Sequence, residues 1–201
     1  VFYETANGHG LPHDPFKAIV APRPIGWIST RAGDGRINLA PYSFFNAISS
    51  KPDLVMFSSD GEKDSVAFAR ETGEFVVNLV TRDLFDAMNT SSTDAPRGVS
   101  EFQLAGVTPA PCRLISAPRV GEAHAALECR VTEIAQPRDL AGNPARVHLV
   151  TGQVVGVHID DAMLVDGIFD IRRARPLARL GYLDYAEIRE IFSARRPVYR
   201  G

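Results

Sequence analysis

Pro22-Arg23-Pro24-Ile25-Gly26-Trp27-Ile28-Ser29-Thr30 opens the readable part of this chain. Each Pro fixes its own φ and turns its predecessor away from helix, so the backbone enters extended. The residues from Ile25 to Thr30 then read as a strand. Gly33-Asp34-Gly35 turns the chain back. Ile37 to Ile48 follows as a second strand, with an interruption expected at Pro41. Asp53 to Ser58 is a short apolar run, which predicts a buried strand, and Asp60-Gly61 is a turn.

Working outward, a helix is expected from Asp64 to Glu71, with Gly73 in the C-capping place. Phe75 to Val80 is strand-like. Arg82 to Met88 reads as a short helix capped by Thr81, and Asn89 to Val99 as a Ser/Thr/Pro-rich loop. Two long strands are expected at Ala125–Ala135 and Ala145–Ile159, joined by a hairpin loop from Pro137 to Pro144. Gly152 and Gly156 mark bends or close backbone approach. A last amphipathic helix is expected at Tyr185–Phe192, and residues 1–16 form an irregular lead-in. Six or seven strands with two short inserted helices predict a mainly β chain, closed or partly closed as a barrel, in one domain over residues 1–201.

Composition bounds the function. The chain has 201 residues, 45% of them hydrophobic, and a formal net charge of −2. That excludes a strongly basic nucleic-acid binder and a highly charged disordered chain. No apolar run approaches the ~20 residues of a membrane-crossing helix. The start, Val1-Phe2-Tyr3-Glu4, lacks the charged-then-apolar pattern of a signal peptide. Cys112 and Cys129 are the only cysteines, without a Cys-x-x-Cys, which fits a reducing, cytoplasmic setting. Residues 171–201 hold eight Arg against three acids. This Arg-rich C-terminal extension is expected to lie across an acidic body, its own or a partner chain's.

Familiar catalytic motifs are missing from the sequence: no GxGxxG after a strand, no Walker loop, no GxSxG elbow and no HExxH. No metal site is expected, since Gly10 and Pro12 break any helix through His9 and His13.

Three local signals remain. In Ser58-Ser59-Asp60-Gly61-Glu62-Lys63-Asp64-Ser65 a strand ends in two hydroxyls, and a lysine stands at the start of a helix. Free amides, a positive dipole end and a cation there receive phosphate, although plain helix capping accounts for the same residues. In Asn38-Leu39-Ala40-Pro41-Tyr42-Ser43-Phe44-Phe45-Asn46 the proline frees backbone groups that could meet the edge of a flat heterocycle; a core strand with an edge proline is the plain alternative. His148 and His158 share a face in an unbroken strand, about 33 Å apart. Each reads as a proton donor or as a hydrogen-bonded strand histidine.

Together these stretches resemble the flavin reductase-like, FMN-binding split-barrel family, nearest its flavoredoxin-type branch. The likeness continues through Gly73-Glu74-Phe75-Val76-Val77-Asn78, Glu101-Phe102-Gln103-Leu104-Ala105-Gly106, Gly152-Gln153-Val154-Val155-Gly156-Val157-His158 and Leu180-Gly181-Tyr182. It implies a six-stranded Greek-key split barrel with short flanking helices, an FMN cofactor and a homodimer. Trp27, Ile28, Ser29, Thr30, Asn38, Leu39, Ala40, Ser43, Phe44, Phe45 and Asn46 are implied to line the ring and ribityl chain. Ser58, Ser59, Lys63, Asp64 and Ser65 are implied to hold the phosphate end, with Arg23 as a second phosphate candidate.

The resemblance also implies an oxidoreductase, passing a hydride from NADH or NADPH through the flavin to free flavin or another small acceptor. The other implied roles are an electron carrier serving an acceptor protein, and a non-enzymatic flavin or haem binder. The family's histidine position, five residues before Gly152, is held here by Val147, with His148 one residue later. His148 and His158 are the candidate catalytic residues.

Overall fold

The computed structural model describes residues 1–95 and 99–199. Residues 96–98 of the expected Asn89–Val99 loop, and the last two residues of the Arg-rich end, lie outside the described residues.

Seven antiparallel strands form the main sheet. They are β1 Gly26–Arg31, β2 Ile37–Tyr42, β3 Phe45–Ser50, β4 Asp53–Asp60, β5 Glu74–Leu79, β6 Ala125–Ala135 and β7 Val147–Ile159. Their spatial order is β2-β1-β5-β6-β7-β4-β3. Strands β2 and β3 are consecutive in the chain yet sit at opposite ends of the sheet. Only Ser43 and Phe44 separate them, so the sheet must curl until its two edges nearly meet. The result is a split barrel, mainly β as expected, with seven strands, within the six or seven expected; the second expected strand divides in two. Pro41 does not interrupt it: Pro41 lies inside β2, opposite Trp27. Strand β2 is an edge, where a missing N–H leaves no ladder bond unmade.

Two buried clusters fill the barrel and its flank. One gathers Val55, Phe57, Val66, Phe75 and Val150 inside the curl. The other gathers Trp27, Leu39, Val80, Met88 and Phe102 under the helices. Gly152 admits this packing, because a Cβ there would stand 2.4 Å from Phe75 Cε1.

The helices are short: α1 Phe16–Ile19, α2 Asp64–Thr72, α3 Phe85–Thr90, α4 Glu101–Ala105 and α5 Ile171–Ala174. Gly73 ends α2 in the left-handed conformation, as expected of a C-cap. Thr81 does not cap a helix backbone. Its hydroxyl donates to Asp83 Oδ1 at 2.6 Å, and the segment starts as a 3-10 turn at Arg82–Leu84 before α3. Asn89 and Thr90, expected in a loop, close α3.

The expected helix at Tyr185–Phe192 is instead a strand at Tyr185–Glu187, followed by irregular chain. It pairs with Leu177–Arg179, which pairs in turn with Arg23–Pro24. A nonlocal ladder therefore overrides the local amphipathic pattern. The Arg-rich end is accordingly more than a surface tail: Ala174, Leu177 and Ala178 are buried, and Arg175 pairs with Glu187 of the same segment.

His148 and His158 do not share a face. Val154 pairs with Cys129 and Gly156 with Glu128, which leaves Val155 as an extra residue in β7. One such bulge reverses the alternation. His148 keeps the parity of Val150, whereas His158 comes to the face of Glu128.

Candidate active site

Helix α2 begins where β4 has turned at Asp60-Gly61. Lys63 stands at its N-cap position, and no side chain caps the helix. The Lys63 carbonyl accepts from Val66 and Ala67, so the amides of Asp64 and Ser65 stay outside the helical ladder. Lys63, Asp64 and Ser65 line a cleft of about 380 Å³ between β2 and residues 91–95. Its other walls include Asn38, Ala40, Pro41 and Tyr42. Asn38 Nδ2 donates to Ser65 Oγ at 2.7 Å, which locks the first turn of α2 to the strand.

Charge in the cleft is uneven. Lys63 is the sole cation among the described residues lining it, against Glu62, Asp64, Asp94 and Glu101. Burial first, and Asp64 as a further cause, push the Glu101 carboxyl above the usual carboxylate range. Burial also raises the Tyr42 phenol, whose buried Oη lies next to Ser65 and Ser59.

A second cavity of about 440 Å³ continues from the first, sharing Pro41 and Ser92. Ile25, Phe44, Met88 and Leu183 give it apolar walls, and Lys17, Arg23 and Arg179 line it as well. Arg23 sits at its floor, 6% exposed, with its guanidinium facing Phe44 at 5.9 Å. Its terminal nitrogens donate to the carbonyls of Lys17, Val20 and Leu180. Arg23 thus clamps α1 and the C-terminal segment around the cavity. Burial, then the charge of Arg179, lowers its pKa.

The structure brings together Asn38, Ala40, Ser43, Phe44, Lys63, Asp64, Ser65 and Arg23 around these joined cavities. Trp27, Ile28, Ser29, Thr30 and Leu39 are fully buried instead. Trp27 reaches the site indirectly, through an Nε1–H bond to Ser91 Oγ at 2.9 Å. Ser29 Oγ donates to Pro118 O at 2.5 Å and accepts from Asn78 Nδ2 at 3.1 Å, and Thr30 Oγ1 has no partner.

Ser58 is half-buried, and the buried Ser59 hydroxyl donates to Gly61 O at 3.0 Å. Phe45 packs against Gly26, and Asn46 is exposed on the edge strand β3. His148 stands opposite Ser59 in the ladder and lines neither cavity. His158 lies elsewhere, bonded to Glu128. Sequence reasoning missed Ser91, Ser92, Glu101 and Tyr182, whereas Tyr42 lies inside the Asn38–Asn46 stretch it singled out. The Ser-rich run after α3 was the one available hint; the others are placed by folding alone.

A flat ligand with an anionic tail fits this arrangement. The free amides and the lysine suit the tail, and Ile25, Phe44 and Met88 beyond Pro41 suit the flat part.

The comparisons agree with this geometry. A model of the family described as Flavin reductase like domain matches residues 20–178. The uncharacterized protein BH2278 of Halalkalibacterium halodurans is 36% identical over 183 residues, covering 89% of this chain and 87% of that protein. The crystal structure of nitrilotriacetate monooxygenase component B from Bacillus cereus superposes with a TM-score of 0.86 at 29% identity, over 96% of this chain and 98% of that one. Flavoredoxin of Desulfovibrio vulgaris (Miyazaki F) shares the fold, with a TM-score of 0.77 at 19% identity over 96% of this chain and 97% of that one. The chain therefore belongs to the flavin reductase like domain family.

Proposed function

We propose that this protein is an FMN-dependent reductase that takes electrons from NADH or NADPH and delivers them to a small acceptor such as free flavin. The observation that carries the reading is the meeting of two cavities at Pro41 and Ser92, one holding Lys63, the other walled by Ile25, Phe44 and Met88 beside Lys17, Arg23 and Arg179. FMN bound there supplies hydride acceptance and onward electron transfer, which the protein's own side chains cannot perform.

The chain's residues bind and orient. Lys63 and the amides of Asp64 and Ser65 hold the phosphate end. The outer edge of β2 faces no strand. Its backbone groups next to Pro41 are therefore free to meet the polar edge of the ring. Ile25, Phe44 and Met88 cover the apolar part and exclude water there. No proton-relaying histidine lines either cavity, and hydride delivery needs none. The same reading takes residues 1–201 as one flavin-binding unit that works as a homodimer; light scattering of the purified protein tests the dimer.

The main test is spectroscopic. The purified or FMN-reconstituted protein is expected to absorb as oxidised flavin and to bleach on anaerobic mixing with NADH or NADPH. A colourless protein that cannot be reconstituted overturns the reading. Bleaching by dithionite but by neither nicotinamide overturns the reductase assignment and leaves an electron carrier.

A further inference from the structure

On another face of the sheet, three side chains of different chemistry converge. Glu128 from β6 and His158 from β7 line a cavity of about 630 Å³. Cys112, from the loop after α4, stands beside them. The three ligand atoms, an oxygen, a nitrogen and a sulfur, all lie within 4.8 Å of one another.

Glu128 is 1% exposed, and a buried carboxylate is retained where it is paired or coordinates a metal. Its Oε1 accepts from Arg113 N at 2.8 Å and meets His158 Nε2 at 2.6 Å. Its Oε2 accepts from Leu114 N at 2.8 Å. A carboxylate offers about four lone-pair directions. These three contacts leave one open, on Oε2. Two features of the backbone build the meeting. The bulge at Val155 turns His158 to this face. Gly156 lets the strand approach, since a Cβ there would stand 3.2 Å from Glu128 Cδ. Bulges recur where a side chain must be re-aimed.

We propose that Cys112, Glu128 and His158 bind one Zn²⁺ ion, with the fourth position open to the cavity. A mixed sulfur, nitrogen and oxygen set suits Zn²⁺, and the thiolate disfavours Mg²⁺ and Ca²⁺. One thiolate and one carboxylate balance the charge of the ion, so the buried site becomes neutral. A free thiol is mostly protonated at neutral pH, and the thiolate is the metal ligand. Binding therefore forms the Zn–S bond as the S–H bond breaks, and the proton goes to solvent.

His158 exchanges its bond to Glu128 for a bond from Nε2 to the metal. Two ligand atoms in a tetrahedral zinc site stand about 3.3 Å apart, so the imidazole must move by roughly 0.7 Å. His158 has room for this, with 21% of its side chain open on the cavity side.

The test uses the full chain with its flavin, stripped by chelator and titrated with Co²⁺. One equivalent is expected to give tetrahedral d–d bands in the red, clear of the flavin, and to be displaced by Zn²⁺. Cys112→Ser and His158→Gln should each abolish the bands and weaken Zn²⁺ by more than the roughly 100-fold seen for outer-shell changes. Cys129→Ser should retain them. Bands that survive Cys112→Ser, or no bands at all, overturn the proposal. Should the Cys112 variant fail to fold, alkylation of the unmodified protein decides. Zn²⁺ is expected to protect Cys112 and to release at least one proton by calorimetry in two buffers; an unchanged alkylation rate or no release overturns the site. Binding at His9 or His13 gives no sulfur-to-metal band, and that result also counts against it.

Discussion

The indole N–H of Trp27 donates to Ser91 Oγ at 2.9 Å, and that hydroxyl donates onward to Met88 O at 2.7 Å. Trp27 and Ser91 are both buried. The bond ties a core strand to the segment that walls both cavities. Ser91→Ala leaves the indole donor unmet, which costs about 1–3 kcal/mol. Urea denaturation should show that loss, and emission from Trp27, the only tryptophan, should shift. A loss below about 0.5 kcal/mol, the range of an ordinary surface substitution, would mean that the bond has no structural weight.

Lys63→Ala removes the only cation among the described residues lining the α2 cleft and leaves four carboxylates there. FMN affinity is expected to fall by about 1–3 kcal/mol, while riboflavin affinity changes little. Paired titrations of the two flavins check this. Equal losses would take the phosphate away from Lys63.

Gly152→Ala places a methyl 2.4 Å from Cε1 and 2.6 Å from Cζ of the fully buried Phe75. Overpacking of this kind costs about 1–3 kcal/mol. Chemical denaturation should register the loss, and Phe75→Leu in the same chain should return part of it.

Glu187 is held at about 2 by its hydrogen bond to Arg175 first and by Arg189 second. A carboxylate depressed in the folded state adds stability that is fully present above its unfolded value. That contribution fades as pH falls from about 4.5 to about 2. Amide protection in the Leu177–Arg179/Tyr185–Glu187 ladder, taken relative to the intrinsic exchange rate at each pH, should therefore fall across this window before that of the main sheet. Glu187→Gln should remove that fall in protection.

Much of the fold is legible locally. Gly26–Arg31, Ala125–Ala135 and the cap at Gly73 follow from β-branched runs and a left-handed glycine, and Gly152 announced its close packing. What escaped depends on distant partners. Pro41 looks like a breaker until β2 is known to be an edge. Tyr185–Glu187 has a helical pattern, yet it is captured by a strand that also pairs with Arg23–Pro24, more than a hundred residues away. The faces of His148 and His158 hinge on one extra residue at Val155, which carries no signature of its own.

The candidate site divides in the same way. Lys63-Asp64-Ser65 could be read because a turn and a helix start are local events. Glu101 and Tyr182 join it only because the sheet curls. Arg23, the second phosphate candidate, spends its two terminal nitrogens on three carbonyls and keeps a buried Nε without a partner.

The two-residue step at Ser43-Phe44 sends neighbouring strands to opposite rims of the curl, and no ladder joins β2 to β3 among the described residues. That seam is also where Ser43 and Phe44 enter the cavity wall. A molecule lodged there would brace the step itself, since the cavity is lined by Ser43 and Phe44 but by no residue of β3. Mechanical or thermal rupture should then start along this line, and an occupant should delay it more than its contact area alone implies.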